Sequence, residues 1–326
     1  MDRDELRAGA GKLGRFQERF AGCFGRCETR EHAARYVQGL LASDGRKNVA
    51  RMVLQEVAEG QIPTGEIWSR QHFLTSSPWD ARAVQREIQA VFAESLAPTA
   101  KAWSLGVVVA IDESAFLKHG DHSVGVQVQH CGCTGSRENC QVGVFLVGMT
   151  PGGECLLDQA RLRVWAKRHR EPGPPTWLMF QREIDHPHIL RCWVSNAEES
   201  VSLETLAEVA GQRVRIEQFF EEAKGEVGMA DYEARAWTSW HHHLSLVAVA
   251  HLFVTLWRLD LRPETPQLTL RQSFDLLRAT LDRPRLSPDE ALQLLEYHLQ
   301  RNATATQSHR KSWLQKHQRL RKELTL

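Results

Sequence analysis

The sequence has almost no excess of charge of either sign. Its 41 Lys and Arg stand against 40 Asp and Glu, for a net charge of +1. A chain so balanced shows no whole-molecule attraction to polyanions, so any contact with nucleic acid must rest on local patches. An apolar run of membrane-spanning length is also missing. The most apolar helix candidate, Leu244 to Trp257, is too short to cross a bilayer and is flanked by His241, His242, His243 and Arg258, so no membrane segment is expected. No secretory signal is expected, and the seven cysteines (23, 27, 131, 133, 140, 155 and 192) are odd in number. On both counts a reduced, cytoplasmic setting fits better than a disulfide framework. No internal repeat is visible, which argues against a solenoid.

What is present describes a globular chain. With 326 residues, 42% hydrophobic and 25% charged, it can hold one large or two ordinary domains around a sizeable core. Residues 1–100 carry helical periodicity: Leu13, Phe16, Phe20 and Phe24 share one stripe, followed by Tyr36, Leu40 and Leu41, then Val49, Met52, Val53 and Val57. Pro63, Gly65 and Pro78 interrupt the pattern, and Asp80 is placed to cap a helix running to Leu96.

The character changes at Ser104 to Leu117, SLGVVVAIDESAFL, where a run of β-branched residues stops at Asp112. A buried strand ending in a carboxylate presents it at a sheet edge, where open α/β sheets place their ligands, although an Asp there can also simply close a turn. Two more strands are expected over 123–130 and 141–149. The Gly-, Ser- and Asn-rich link 131–139 reads as a hairpin loop, and a fourth strand follows Cys155. Three successive strands with a carboxylate on the first suggest the opening half of a ribonuclease-H-like core. The basic, Pro-rich stretch 167–175 reads as a linker, and 176–185 with 188–196 as two strands joined at His186-Pro187.

From Ser202 the period returns to 3.6, giving a helical run to Gly228 and further helices near 237–259, 268–281, 288–301 and 308–323. Arg213, Glu217 and Lys224 fall near one face of the first of these. Such a seam is ordinarily a solvated salt-bridge row.

The wording of two blocks is more specific than their composition. IDESAFLKHGDHSVGVQVQHCGCTGSRENCQVGVFLV and AGQRVRIEQFFEEAKGEVGMADYEARAWTSW resemble the catalytic blocks of bacterial insertion-sequence 701 transposases, of the insertion-sequence 4 group in the DDE superfamily. The stretch 71–80 resembles the helical DNA-binding region of the same proteins. The resemblance implies an α/β (α+β) architecture: a helical DNA-binding region over 1–100, a ribonuclease-H-like core over 101–236, and a helical region over 237–326. It implies Mg²⁺- or Mn²⁺-dependent cleavage and strand transfer at element ends, with Asp112 and Glu217 as catalytic metal ligands and Arg213 and Lys224 on DNA phosphates. The implied partner is double-stranded DNA bearing inverted-repeat ends, with a homodimer as the assembly to test and the cytoplasm, at the nucleoid, as the location.

The chain departs from that pattern at Glu113, Ser114, Ala115 and Leu117, and Ala210 stands where the signature has Tyr. The motif carrying the second catalytic Asp is absent between Met149 and Glu217, and a stretch around 166–175 reads as deleted. Asp158, Asp185 and Glu198 are the carboxylates that could replace it. The core is therefore expected to be incomplete, leaving two functional readings: a transposase with impaired catalysis, or a catalytically dead DNA-binding remnant acting as a repressor or inhibitor. A helical interaction protein without nucleic acid is the third.

Two remaining features draw milder expectations. Cys131, Cys133 and Cys140, with His119, His122 and His130 nearby, lack a second paired knuckle and read as loop thiols rather than a zinc site. The basic residues Arg310, Lys311, Lys316, Arg319, Arg321 and Lys322 around Trp313 suit either a phosphate-lying helix or a solvated one.

Overall fold

The computed structural model describes residues 3–56, 64–160, 177–182, 190–233, 235–261, 263, 265, 268–281, 307, 308, 310 and 311. The chain opens with helices α1 (Arg3–Glu18), α2 (Cys27–Ala42), α3 (Val49–Glu56), α4 (Thr64–Thr75) and α5 (Ala81–Val91). Asp80 caps α5 as expected, accepting the Arg82 N–H, and a π turn carries the helix on to Leu96. The expected apolar stripe is buried at Leu13, Phe20 and Phe24, and at Tyr36, Leu40, Leu41, Met52 and Val53.

A four-stranded sheet follows, built from β1 (Val108–Leu117), β2 (Val126–Cys131), β3 (Ser136–Thr150) and β4 (Gly153–Ala160). All its pairings are antiparallel, and β3 is the central strand. On one side it pairs with β1 over Val108↔Met149 to Leu117↔Cys140. On the other, β2 takes the first part of β3 and β4 the last. The antiparallel meander is thus β1–β3–β4, and β2 is an addition to it. The expected loop 131–139 is shorter, since Ser136 to Asn139 pair with β2; ladder bonds need only backbone, so polar residues can extend a strand. The turn is closed by the N–H groups of Thr134 and Gly135 donating to the Cys131 carbonyl, with Gly135 at φ 68°.

Strands β5 (Trp177–Arg182) and β6 (Leu190–Ser195) form a separate antiparallel pair. The helical run from Ser202 breaks at Gln212 into α6 (Leu203–Gly211) and α7 (Arg213–Gly225). Helices α8 (Trp237–Leu261) and α9 (Leu270–Thr280) complete the described fold. The expected helix 288–301 lies outside the described residues, as does nearly all of 308–323.

Helix α8 corrects the reading of Leu244 to Trp257 as too short: it runs 25 residues, long and apolar enough to cross a membrane by length and composition. It is instead enclosed by the rest of the fold, packing against α2, α4, α5, α9 and β4. Two of its histidines find partners within the fold. His242 sets its ring nitrogens 2.9 Å from the carbonyls of Leu74 and Trp79, and His243 Nδ1 lies 2.9 Å from the Tyr36 hydroxyl. One hydrophobic cluster joins the N-terminal helices, the sheet and α7–α9.

Candidate functional site

The face of the sheet that carries Asp112 is set by register. Asp112 pairs with Phe145, and side chains directly opposed across a ladder share a face. Phe116, two positions on twice over, lies on that face as well, with its ring 6.2 Å from Phe145 and 4.9 Å from Trp240. Val109, Ile111 and Glu113 point the other way and are exposed.

Helix α7 packs on the Asp112 face. Its Phe220 ring lies 5.4 Å from Phe145, and Lys224 donates to the Ala115 carbonyl at 2.9 Å while sitting over the Phe116 ring. Lys224 thus lies by Ala115, Phe220 by Phe145 opposite Asp112, and Arg215 by Thr150 at the start of β1, so Glu217 sits about one helical turn from the level of Asp112, toward the start of the strand. Asp112 is half-buried, and one of its carboxylate oxygens accepts the N–H of Glu113 at 2.9 Å. Glu217 lies at the rim, ion-paired with Arg213 at 3.2 Å.

The two basic residues of the seam fare differently. Arg213 is exposed, with its guanidinium over the Trp193 ring. Lys224 is turned inward, and burial lowers its pKa below the usual lysine range. Its ammonium group is therefore engaged inside the fold rather than presented to solvent. The bare spacing on the helix could not distinguish these two environments.

Of the alternative carboxylates, Asp158 pairs with Leu146, the partner of Ile111, and so projects from the face opposite Asp112. Glu198 is exposed in the turn before α6. Asp185 lies outside the described residues. Among the described residues no group of three or more His, Cys, Asp or Glu side chains could hold a metal ion, including the Cys and His set around residues 119–140. Asp112 and Glu217 alone do not fit a two-ion site, where four positive charges would meet two negative ones.

Several positioning residues went unread in the sequence. Arg215 donates to Glu154 and to the Thr150 carbonyl, fixing α7 to the β3–β4 turn. Glu208 accepts from the Trp103 indole and the Ser104 hydroxyl, fixing α6 to the entry of β1. Beyond the end of β1 a hollow of about 200 Å³ is lined by Arg46, Lys118, His119, His122 and Arg235, with Glu233. Lys118 donates to the Tyr232 carbonyl, and burial pulls its pKa down to about 8. A larger cavity of about 500 Å³, lined by Trp68, His72 and Asp231 among others, lies away from the carboxylates, against the N-terminal helices.

Residues 19–173 match a family model described as DDE superfamily endonuclease. That stretch runs from the N-terminal helices through β1–β4 and includes Asp112. The match supports a DDE transposase-like nuclease with an α+β, ribonuclease-H-like core, a class that acts on DNA with divalent metal ions such as Mg²⁺. No curated protein and no solved structure matches the chain.

Proposed function

We propose that this chain is a transposase of the insertion-sequence 701 kind that binds the inverted-repeat ends of its element but cleaves and joins DNA weakly or not at all. What supports the reading is that Asp112 and Glu217 lie on facing elements, β1 and α7, while among the described residues no group of three or more His, Cys, Asp or Glu side chains could hold a metal ion. Two carboxylates leave a two-ion site short of charge and of ligands, and small displacements of a nucleophile can cost about a hundredfold in rate. Phosphate binding does not share that dependence, because it rests on Arg and Lys. Arg213 and the cationic hollow beyond β1 supply such groups, at opposite ends of that strand. A chain that holds element ends without turning them over would act as a repressor or inhibitor of active relatives.

The test is incubation of the purified protein with duplex DNA carrying the element's own ends, in Mg²⁺ or Mn²⁺. Binding should weaken steeply with salt, as counterion release requires, while cleavage products stay at background. Robust cleavage that disappears in Asp112→Asn would show a complete site, and Asp158→Asn, Asp185→Asn and Glu198→Gln would then locate the missing ligand. Failure to retain duplex even at low salt would leave the interaction-protein reading.

A further inference from the structure

At the tip of the β2–β3 hairpin the sulfurs of Cys131 and Cys133 lie 2.9 Å apart, closer than two thiols pack by van der Waals contact alone. The turn enforces this. Cys131 ends β2, its carbonyl is held by the N–H groups of Thr134 and Gly135, and the chain reverses within Gly132 to Gly135. Cys131 is buried and Cys133 exposed. Burial pushes the Cys131 thiol up, but hydrogen bonds from Cys133 and Thr134 outweigh it and hold the group below the ordinary thiol range. The Lys224 ammonium favours the ionised forms of both sulfurs, but the hydrogen bond to Cys131 and burial push the Cys133 thiol above the ordinary range, so Cys131 is the thiolate of the pair. Around a tetrahedral zinc the sulfurs would stand roughly 3.7 Å apart, so the observed spacing suits a covalent bond better than a shared metal.

We infer that Cys131 and Cys133 form a peroxide-sensitive dithiol that closes to a disulfide within the hairpin. The Cys131 thiolate attacks the peroxide O–O bond, giving a sulfenic acid and releasing one oxygen as water once protonated. The Cys133 thiol then gives up its proton and attacks the Cys131 sulfur, the S–O bond breaks and the hydroxide leaves as a second water. Two electrons pass from the thiols to the peroxide, and the two thiol protons end in water. The step leaves no thiolate charge opposite Lys224, whose helix also carries Glu217. This inference is independent of DNA binding.

Cys27 and Cys192 provide the internal comparison: both are exposed, and among the described residues neither has a second sulfur in contact. The experiment treats the full-length protein with hydrogen peroxide, denatures it in N-ethylmaleimide and maps the peptides. The expected result is a Cys131–Cys133 linkage, loss of alkylation at two of the seven cysteines, a mass lower by about 2 Da, and reversal by dithiothreitol. In Cys133→Ser, Cys131 should stop at a sulfenic acid that dimedone traps. Full alkylation of both Cys131 and Cys133 after exposure that oxidises Cys27 or Cys192 would overturn the inference. The wild-type protein alone decides it, so misfolding of a variant cannot obscure the result.

Discussion

Helices α7 and α8 both pack against the sheet, yet they differ in what they leave outside. Helix α8 is buried along nearly its whole length, from Trp240 to Trp257, and even its His242 and His243 are spent on contacts within the fold. Helix α7 buries Ile216, Phe219, Phe220 and Ala223 and leaves Arg213 and Glu217 at the rim. A helix apolar on every side must be covered all round, as α8 is by the rest of the fold, whereas one with a single apolar face has a second face free for chemistry. Stability is therefore concentrated in α8 and the candidate site in α7 and β1.

The sharpest way to break this comparison is to cut a large side chain from α8. Phe253 is 3% exposed, with its ring 5.4 Å from Phe16, and Phe253→Ala should cost about 3–5 kcal/mol, read as a lower urea midpoint. A loss below about 1 kcal/mol would mean that α8 does not anchor the fold.

Acid should act on the same helix. Burial pulls His243 down to about 4, and Lys118 adds to the effect, while Tyr36 and Tyr232 are its other neighbours. The folded state keeps this ring neutral while the unfolded chain protonates below its ordinary pKa near 6.5, so the stability is complete above that value and is lost as pH falls toward 4. The loss from this group should approach roughly 3 kcal/mol. His32, His241 and His242 shift in the same direction and add to it. Urea unfolding at pH 7 and pH 5 measures this, and equal midpoints would refute it.

On α7 the effects should be smaller and should divide. Lys224→Ala removes the tie to the Ala115 carbonyl and should destabilise by about 1–2 kcal/mol. Arg213→Ala should change stability by less than about 0.5 kcal/mol, since its pair with Glu217 is exposed. If Arg213 meets a phosphate, that variant should also lower the salt slope of DNA binding by about 1. Equal destabilisation by the two variants would erase the distinction between the inward and outward ends of the seam.

Much of this division was legible in the residues. The run SLGVVVAID marks a strand and its terminal carboxylate, Asp80 marks a helix start, and the alternation in 176–196 marks a hairpin, because each is a local choice of backbone conformation. The match over residues 19–173 agrees with the type of core that the block around Asp112 suggested. What remained hidden was non-local. That β3 rather than β2 pairs with β1, that Lys224 turns inward while Arg213 stays out, and that Asp158 sits on the wrong face all depend on register across the sheet.

The sequence by itself determined where helices and strands form and which side chains could bear charge at the site, since periodicity and caps act within a few residues. Only the tertiary structure decided which of those side chains share a face, whether α8 is enclosed, and that two thiols meet at a hairpin tip. Those outcomes depend on strand register and on packing between residues far apart in the chain, and a one-residue slip would send every side chain of a strand to the opposite face.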